Sequence, residues 1–126
     1  MLQFAAVGIG GALGACLRYF ISILMSKFPA FPYATLLSNI LAGFFIGAVI
    51  EMDRQTSLIS PNARLFLTTG ILGGLSTFST FSHETIESFR SGQPLLASLN
   101  IALNLGLSLF CVVLGSYLIK LLFKKE

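Results

Sequence analysis

The sequence predicts an all-α membrane protein with four transmembrane helices in each subunit. Hydrophobic residues make up 55% of the 126 residues, charged residues only 10%, and the mean hydropathy is +0.86. A soluble domain has about 25% charged residues, and a disordered chain combines low hydrophobicity with high charge. Both classes are therefore excluded. Four apolar stretches are each long enough to cross a bilayer, which takes about 20 residues.

The four predicted helices follow one another closely. Prolines interrupt the chain after the first helix, and residues 51–62 connect the second helix to the third. Within that connection, Ser60 has the character of a helix N-cap and Pro61 that of a first-turn residue. No connection is long enough for a second domain, so residues 1–126 are predicted to form one four-helix domain. The predicted helices cover residues 2–25, 33–50, 63–89 and 95–123.

The basic residues divide almost evenly between the two ends of these helices. An even number of spans puts both termini on one side of the membrane, and five basic residues against three is a weak bias under the positive-inside rule. The chain is therefore expected to insert in both orientations, and its small size favours a homo-oligomer, most commonly a two-fold dimer. The two sets are Arg54, Arg64, Lys120, Lys124 and Lys125 on the side of the termini, and Arg18, Lys27 and Arg90 on the other.

Three pairs of glycines are spaced four residues apart within predicted helices. Small residues at this spacing let helices approach closely, either within a subunit or between subunits. Chance is the alternative in a chain with twelve glycines, but pairs in three different helices favour packing. The pairs are Gly10 with Gly14, Gly43 with Gly47, and Gly70 with Gly74.

The third helix carries a pattern that favours a break near the middle of the membrane. Gly73 and Gly74 are adjacent, and a glycine costs about 1 kcal/mol in a helix interior. A cluster of hydroxyl side chains follows, and such groups can bond backbone atoms that are freed from a helix. Non-helical backbone at this depth occurs where it is buried in protein or lines a watery cavity, and broken helices form ion sites in transport proteins. The hydroxyl residues are Ser76, Thr77, Ser79, Thr80 and Ser82.

Two phenylalanines lie among these hydroxyl residues. Phe78 and Phe81 are three residues apart and share a helix face once the helix resumes. An aromatic ring has a positive edge, so a ring edge directed at a pore can contact a small anion. The alternative is a pair of packing or lipid-facing rings, but the neighbouring donors at the same depth favour a role in a pore.

Polar residues also mark the second and fourth helices. Asn39 lies among apolar neighbours in the second helix, and Asn100, Asn104 and Ser108 form a stripe at intervals of four in the fourth. Such residues either hydrogen-bond between helices, at about 0.6 kcal/mol each, or line a permeation path. Neutral donors suit an anion that must both enter and leave a site.

Ionisable residues near membrane depth are few, and no catalytic set can be assembled from them. Arg18 either attracts anions at a pore mouth or extends to the interface, and Glu84 lies beyond the phenylalanine pair. The sequence contains no serine triad, paired-carboxylate site, metal cluster or phosphate loop, so an enzyme is not expected. A net charge of +3 is too small for a nucleic-acid surface.

At residues 73–82 the chain reads Gly-Gly-Leu-Ser-Thr-Phe-Ser-Thr-Phe-Ser, with Glu84 after it. This run resembles the signature of the Fluc (CrcB-type) bacterial fluoride channels. Residues 14–18, Gly-Ala-Cys-Leu-Arg, and residues 39–43, Asn-Ile-Leu-Ala-Gly, are similar to the family's first and second helices. The resemblance covers nearly the whole chain, and the motif in the third helix is highly specific.

The resemblance implies a multi-pass protein of the bacterial inner membrane that exports cytoplasmic fluoride passively. It implies an antiparallel, dual-topology homodimer with two fluoride pores, whose third helix is broken at mid-membrane. The whole chain would then be one channel domain. Its partners would be fluoride, sodium, the lipid bilayer and a second copy of the chain, with no nucleic acid.

The resemblance also assigns roles to individual residues. By this likeness Phe78 and Phe81 line the pores, with Asn39 beside them. The other implied pore residues are Thr77, Ser79 and Thr80 in the break, and Asn100, Asn104 and Ser108 in the fourth helix.

Two further sites follow from the same likeness. Arg18 and Glu84 are implied to lie in an aqueous vestibule at the end of the pore. A structural sodium ion is implied at the centre of the dimer, held by the backbone carbonyls of Gly73 and Ser76 from both subunits.

Two alternatives from other functional classes stay open on the sequence. A small multidrug-type exporter also has four helices, but it couples transport to protons through a glutamate in its first helix, and no acidic residue occurs there. A non-transporting assembly protein of the membrane would need neither the break nor the polar stripe.

Overall fold

The computed structural model describes residues 1–123 and is all-helical there. Four segments are long and apolar enough to cross a membrane, as the sequence predicts. Lys124 and Lys125, which enter the charge balance above, lie outside the described residues. The helices are α1 (Leu2–Met25), α2 (Tyr33–Thr56), α3 (Pro61–Leu65), α4 (Gly73–Leu75), α5 (Phe78–Arg90) and α6 (Pro94–Leu122), with a π-helical stretch at Phe66–Leu72.

The second helix extends further than the sequence predicts. The charged residues that begin at Glu51 read as a connecting loop, but α2 continues through Thr56. The reason lies in side-chain pairs along the helix surface: Gln55 Nε2 donates to Glu51 Oε1 at 2.7 Å, and Arg54 forms an ion pair with Glu51 at 3.7 Å. Polar pairs at this spacing stabilise helices.

The start of the third span (Pro61–Arg90) follows the predicted signals. The Ser60 hydroxyl accepts a hydrogen bond from the Ala63 N–H at 3.2 Å, and Pro61 occupies the first turn. The π-helical stretch after α3 is not predicted. The Thr68 hydroxyl donates to the Arg64 carbonyl at 2.8 Å, a bond that competes with the regular helical ladder. π-helical turns of this kind occur mainly as local insertions in α-helices.

The predicted glycine pairs lie where helices pack within the subunit. A Cβ atom on Gly10 would lie 2.5 Å from the Phe66 carbonyl oxygen, so α1 and the third span touch backbone to backbone. A Cβ atom on Gly43 would lie 2.8 Å from the Ser108 carbonyl oxygen, so α2 and α6 do the same. These contacts confirm packing as the role of the pairs.

The interior of the subunit is unusually polar for its small size. Among residues 1–123, six apolar and six polar side chains other than glycine are buried. The apolar core is a small cluster of Ala42, Leu72 and Leu75, while large apolar side chains cover the outside. This distribution suits lipid on the outside and a polar path within.

We predict that Gly70→Ala destabilises the subunit. The added Cβ atom would lie 2.9 Å from the Gly10 Cα atom, and neither backbone can move away freely. Overpacking of this kind costs about 1–3 kcal/mol. The thermal unfolding temperature in detergent measures the effect. Gly8→Ala is the matched control, because its Cβ atom would meet nothing within 4 Å. Equal unfolding temperatures for the two variants would contradict this packing.

Candidate functional site

The third span loses its helical geometry at two residues. Helix α4 ends at Leu75 and α5 begins at Phe78, while Ser76 (ψ 153°) and Thr77 (φ −151°, ψ 116°) are extended. The Thr77 hydroxyl caps α5 by accepting a hydrogen bond from the Thr80 N–H at 3.1 Å. A threonine at this position stabilises a helix start, so the sequence of the segment itself supports the interruption.

A side chain from α2 bonds the backbone at this interruption. In a continuous helix the Thr77 N–H would donate to the Gly73 carbonyl, but here it donates to Asn39 Oδ1 at 2.8 Å. The Asn39 Nδ2 atom also lies 3.4 Å from the Thr77 carbonyl oxygen. Backbone groups without water must find partners in the protein, and the Asn39 amide supplies one.

Asn39 begins a hydrogen-bonded chain of three amides that continues into α6. Its Nδ2 atom donates to Asn104 Oδ1 at 2.9 Å, and Asn104 Nδ2 donates to Asn100 Oδ1 at 2.7 Å. Asn100 Nδ2 donates to the Thr85 hydroxyl at 3.0 Å. The Thr85 hydroxyl donates in turn to the Phe81 carbonyl at 2.8 Å. We call Asn39, Asn104 and Asn100 the amide chain.

A groove of about 320 Å³ runs beside the interruption. Residues of α2, the third span and α6 line it, and no side chain in its lining carries a charge. The Ser108 hydroxyl in this lining is buried and has no hydrogen-bond partner among residues 1–123. The sequence-predicted site residues that line the groove are Asn39, Gly73, Ser76, Thr77, Phe78, Phe81, Asn104 and Ser108.

The two predicted phenylalanines form a ring pair at the groove. Their ring centroids are 5.5 Å apart, with an angle of 55° between the ring planes. Phe81 is 7% exposed, whereas Phe78 is 75% exposed. One ring is therefore fixed in the interior and the other faces outward, so the groove is open on the side of Phe78.

A second cavity, of about 300 Å³, adjoins the groove at Thr77, which lines both. Arg18, Glu84 and Thr80 line this second cavity, together with Thr35. The Thr35 hydroxyl donates to Glu84 Oε1 at 2.7 Å. The structure thus places the two predicted vestibule residues in one cavity, and Thr77 separates that cavity from the groove.

The interruption also frees two backbone carbonyls. The Gly73 carbonyl loses its helical partner because the Thr77 N–H bonds Asn39. The Ser76 carbonyl also loses its helical partner, because the Thr80 N–H donates to the Thr77 hydroxyl instead. Gly73 is exposed and Ser76 is partly exposed, so these oxygens fit the carbonyl set that a cation would need.

Comparison with known proteins identifies the family. Residues 5–116 match the family described as "CrcB-like protein, Camphor Resistance (CrcB)". The chain belongs to this CrcB-like family. It is therefore a multi-pass bacterial membrane protein and not an enzyme, and the resemblance read from the third-span motif is confirmed.

Curated relatives of this CrcB-like chain carry the name "Fluoride-specific ion channel FluC". One from Clostridium perfringens (strain 13 / Type A) is 55% identical over 125 residues, which covers 98% of each chain. One from Clostridium novyi (strain NT) is 50% identical over 119 residues, 93% of each chain. A more distant one from Paraburkholderia phymatum is 45% identical over 115 residues, 90% of this chain and 91% of the relative.

Not every predicted pore residue of the CrcB-like chain lines one of these two cavities. Asn100 lines neither cavity and is fully buried. Ser79 is exposed, and its hydroxyl lies 3.2 Å from that of Thr77. Thr35 and Thr85 are not predicted, although each is four residues from a predicted residue (Asn39 and Phe81) and therefore on the same helix face.

We predict that Asn39→Leu destabilises this CrcB-like protein. The leucine has a similar size but leaves the Thr77 N–H without its acceptor, which costs about 1–3 kcal/mol in a buried setting. The unfolding temperature in detergent should fall below that of the control Ile40→Leu, which changes the next residue without removing a polar group. An unchanged unfolding temperature for Asn39→Leu would show that this bond does not stabilise the interruption.

Proposed function

We propose that this CrcB-like protein is a fluoride-selective ion channel that lets cytoplasmic fluoride leave the cell passively. The observation that carries the proposal is the groove, where a phenylalanine pair, amides and hydroxyls meet beside an interrupted helix. The printed name of its close relatives supports the same function. The two kinds of support are independent, because the first rests on side-chain chemistry alone.

The groove offers what a small anion needs when it loses water. The edges of Phe78 and Phe81 are weakly positive, and the free Ser108 hydroxyl is a donor. Thr77 and the Asn39 amide add neutral polar groups at the same place. Neutral groups bind an anion weakly enough to release it again. Since no titratable side chain lines the groove, passive conduction is favoured over proton coupling.

The second cavity would be the vestibule that receives the ion. Arg18 is its basic residue, and a positive charge at the mouth of a cleft raises the local concentration of anions. Thr35 and Glu84, which are hydrogen-bonded to each other, also line this cavity. Fluoride would pass from this vestibule along Thr80 and Ser79 to Thr77 and then into the groove.

The pore would be completed by a second copy of the chain. Phe78 is mostly exposed on the open side of the groove, so another subunit is needed to enclose it. An antiparallel dual-topology homodimer satisfies this need and agrees with the even distribution of basic residues. Each subunit would contribute one groove, giving two pores, and the interruption at Ser76 and Thr77 would lie at mid-membrane.

A structural sodium ion would lie at the centre of this dimer. The freed carbonyls of Gly73 and Ser76, contributed by both subunits, are the groups that would hold it, since hard cations prefer oxygen ligands. When bound, the ion supplies the electrostatic compensation that unpaired carbonyls need in an apolar environment. Within the chain, Asn39 and Thr77 keep these carbonyls free by taking the N–H groups that would otherwise bond them.

A proton-coupled multidrug-type exporter is not favoured. Its first helix would need an embedded glutamate, and α1 contains neither aspartate nor glutamate. A scaffold without transport activity would leave the unpaired Ser108 hydroxyl and the polar interior without a purpose. Growth tests with toxic cations would favour the exporter only if the protein conferred resistance to them.

We predict that Phe78→Ile and Phe81→Ile each lower fluoride efflux from liposomes. Isoleucine keeps the apolar bulk but has no positive ring edge, so the rate should fall about tenfold or more. Efflux is measured with a fluoride electrode, and size-exclusion chromatography checks that the dimer still assembles. Phe4→Ile is the matched control, because Phe4 is 84% exposed and lines neither the groove nor the second cavity. Normal efflux in both variants would refute the role of the rings.

We also predict that sodium stabilises the dimer specifically. A bound ion raises the unfolding temperature by mass action, so purified protein should unfold at a higher temperature in sodium chloride than in N-methylglucamine chloride of equal ionic strength. Identical unfolding temperatures in the two salts, across the same range of concentrations, would exclude a structural sodium site.

A further inference from the structure

Asn100 differs from the other members of the polar stripe on α6. Asn104 and Ser108 line the groove, but Asn100 has no exposed surface and lines neither the groove nor the second cavity. It is one of the two largest fully buried side chains in the described chain. Its amide is hydrogen-bonded at both the nitrogen and the oxygen, so any effect of Asn100 on an ion would act through these neighbours.

The two ends of the amide chain fix its direction. At one end the Thr85 hydroxyl has a single hydrogen, which it donates to the Phe81 carbonyl at 2.8 Å. The Thr85 oxygen can therefore only accept from Asn100, and the NH₂ group of Asn100 must face it. At the other end the Thr77 N–H can only donate, so the Oδ1 atom of Asn39 must face it.

Between these ends, each amide orients the next. The Oδ1 atom of Asn100 faces Asn104, so Asn104 must donate to it from its NH₂ group. The Oδ1 atom of Asn104 then faces Asn39, so Asn39 must donate from its NH₂ group as well. Reversing one amide would bring two donors or two acceptors together, so the three side chains keep or lose their orientation as a unit.

The orientation decides which atom of Asn39 remains for an anion. Both Asn104 N–H groups are used, at 2.7 and 3.2 Å from Asn100 oxygens. One N–H of Asn39 donates to Asn104 at 2.9 Å, while the other makes a longer and weaker contact of 3.4 Å with the Thr77 carbonyl. That weakly held N–H belongs to a residue of the groove. Reversal of the amide would present a carbonyl oxygen, which repels anions.

We propose that Asn100 and Thr85 are positioning residues that keep the amide donor of Asn39 directed to the permeating anion. The inference rests on the proposed fluoride conduction, and it departs from the sequence-based expectation that Asn100 itself lines the pore. Neither residue touches the ion. Asn100 acts on the Asn39 amide through two hydrogen bonds, and Thr85 acts on it through three.

Two substitutions of Thr85 test this inference. Thr85→Val keeps the shape of the side chain but removes the acceptor that orients Asn100, and fluoride efflux from liposomes should fall about tenfold or more. Thr85→Ser keeps the hydroxyl and should restore efflux to within about twofold of the wild type. If Thr85 only fills space, Thr85→Ser, which loses the methyl group, should lower efflux more than Thr85→Val. If Thr85 orients Asn100, Thr85→Val, which loses the hydroxyl, should lower efflux more.

A second pair of variants covers the case in which Thr85→Val does not assemble. Asn100→Leu removes both polar ends at similar volume and should lower efflux to a similar extent, with a dimer of unchanged size. Ser98→Leu is the control, because Ser98 is exposed on the same helix and should conduct normally.

The outcomes separate the inference from the function on which it rests. A wild-type protein that releases no fluoride overturns both. Normal wild-type efflux together with normal efflux in Thr85→Val or Asn100→Leu overturns only the positioning role. If neither variant forms a dimer while Ser98→Leu does, the two side chains serve folding, and the positioning role is again overturned.

Discussion

The structure depends on one requirement, namely that backbone groups released from a helix in apolar surroundings find partners in the protein. At Ser76 and Thr77 the third span leaves its helical course, and the Asn39 amide takes the Thr77 N–H. That bond holds α2 against the interruption and commits the orientation of Asn39. It also frees the Gly73 carbonyl. The groove, the amide chain and the proposed cation site all follow from it.

Much of the fold can be predicted from the sequence, because a helix that crosses the membrane needs about 20 mostly apolar residues. The bounds of α1 agree with the predicted stretch, and the Ser60 cap is where its residue type indicates. The predicted end of α2 at residue 50 is wrong. The charged residues that begin at Glu51 are typical of a loop, but the pairs they form extend the helix. The π-helical stretch at Phe66–Leu72 has no signal in the spacing of apolar residues.

The sequence predicts the residue types of the candidate site but not the hydrogen bonds that join them across helices. Asn39 and Asn104 stand out in the sequence because amides are unusual at their depth, and Phe78 stands out because hydroxyl residues surround it. The structure brings all three to one groove. Thr85 does not stand out, since a helical threonine usually bonds only its own backbone. Its partner Asn100 lies on another helix, and such pairs depend on how helices cross, which a single sequence does not reveal.

The composition takes on a clearer meaning with the structure. Of twelve phenylalanines, many are exposed on the outer surface, and Phe78 and Phe81 are the pair that meets at the groove. Low charge fits a path built from neutral donors and ring edges. The glycines bring helix backbones into contact and so leave the limited interior to polar groups. These features together describe a small subunit whose limited interior is filled largely by hydrogen-bonded polar side chains.

The most direct test of this account measures two anions on the wild-type protein. Liposomes that contain the purified protein are loaded with fluoride or chloride, and release is followed with ion-selective electrodes after the membrane potential is collapsed. The account predicts rapid release of fluoride and no chloride release above that of protein-free liposomes. Absent fluoride release, or chloride release at an equal rate, would contradict it.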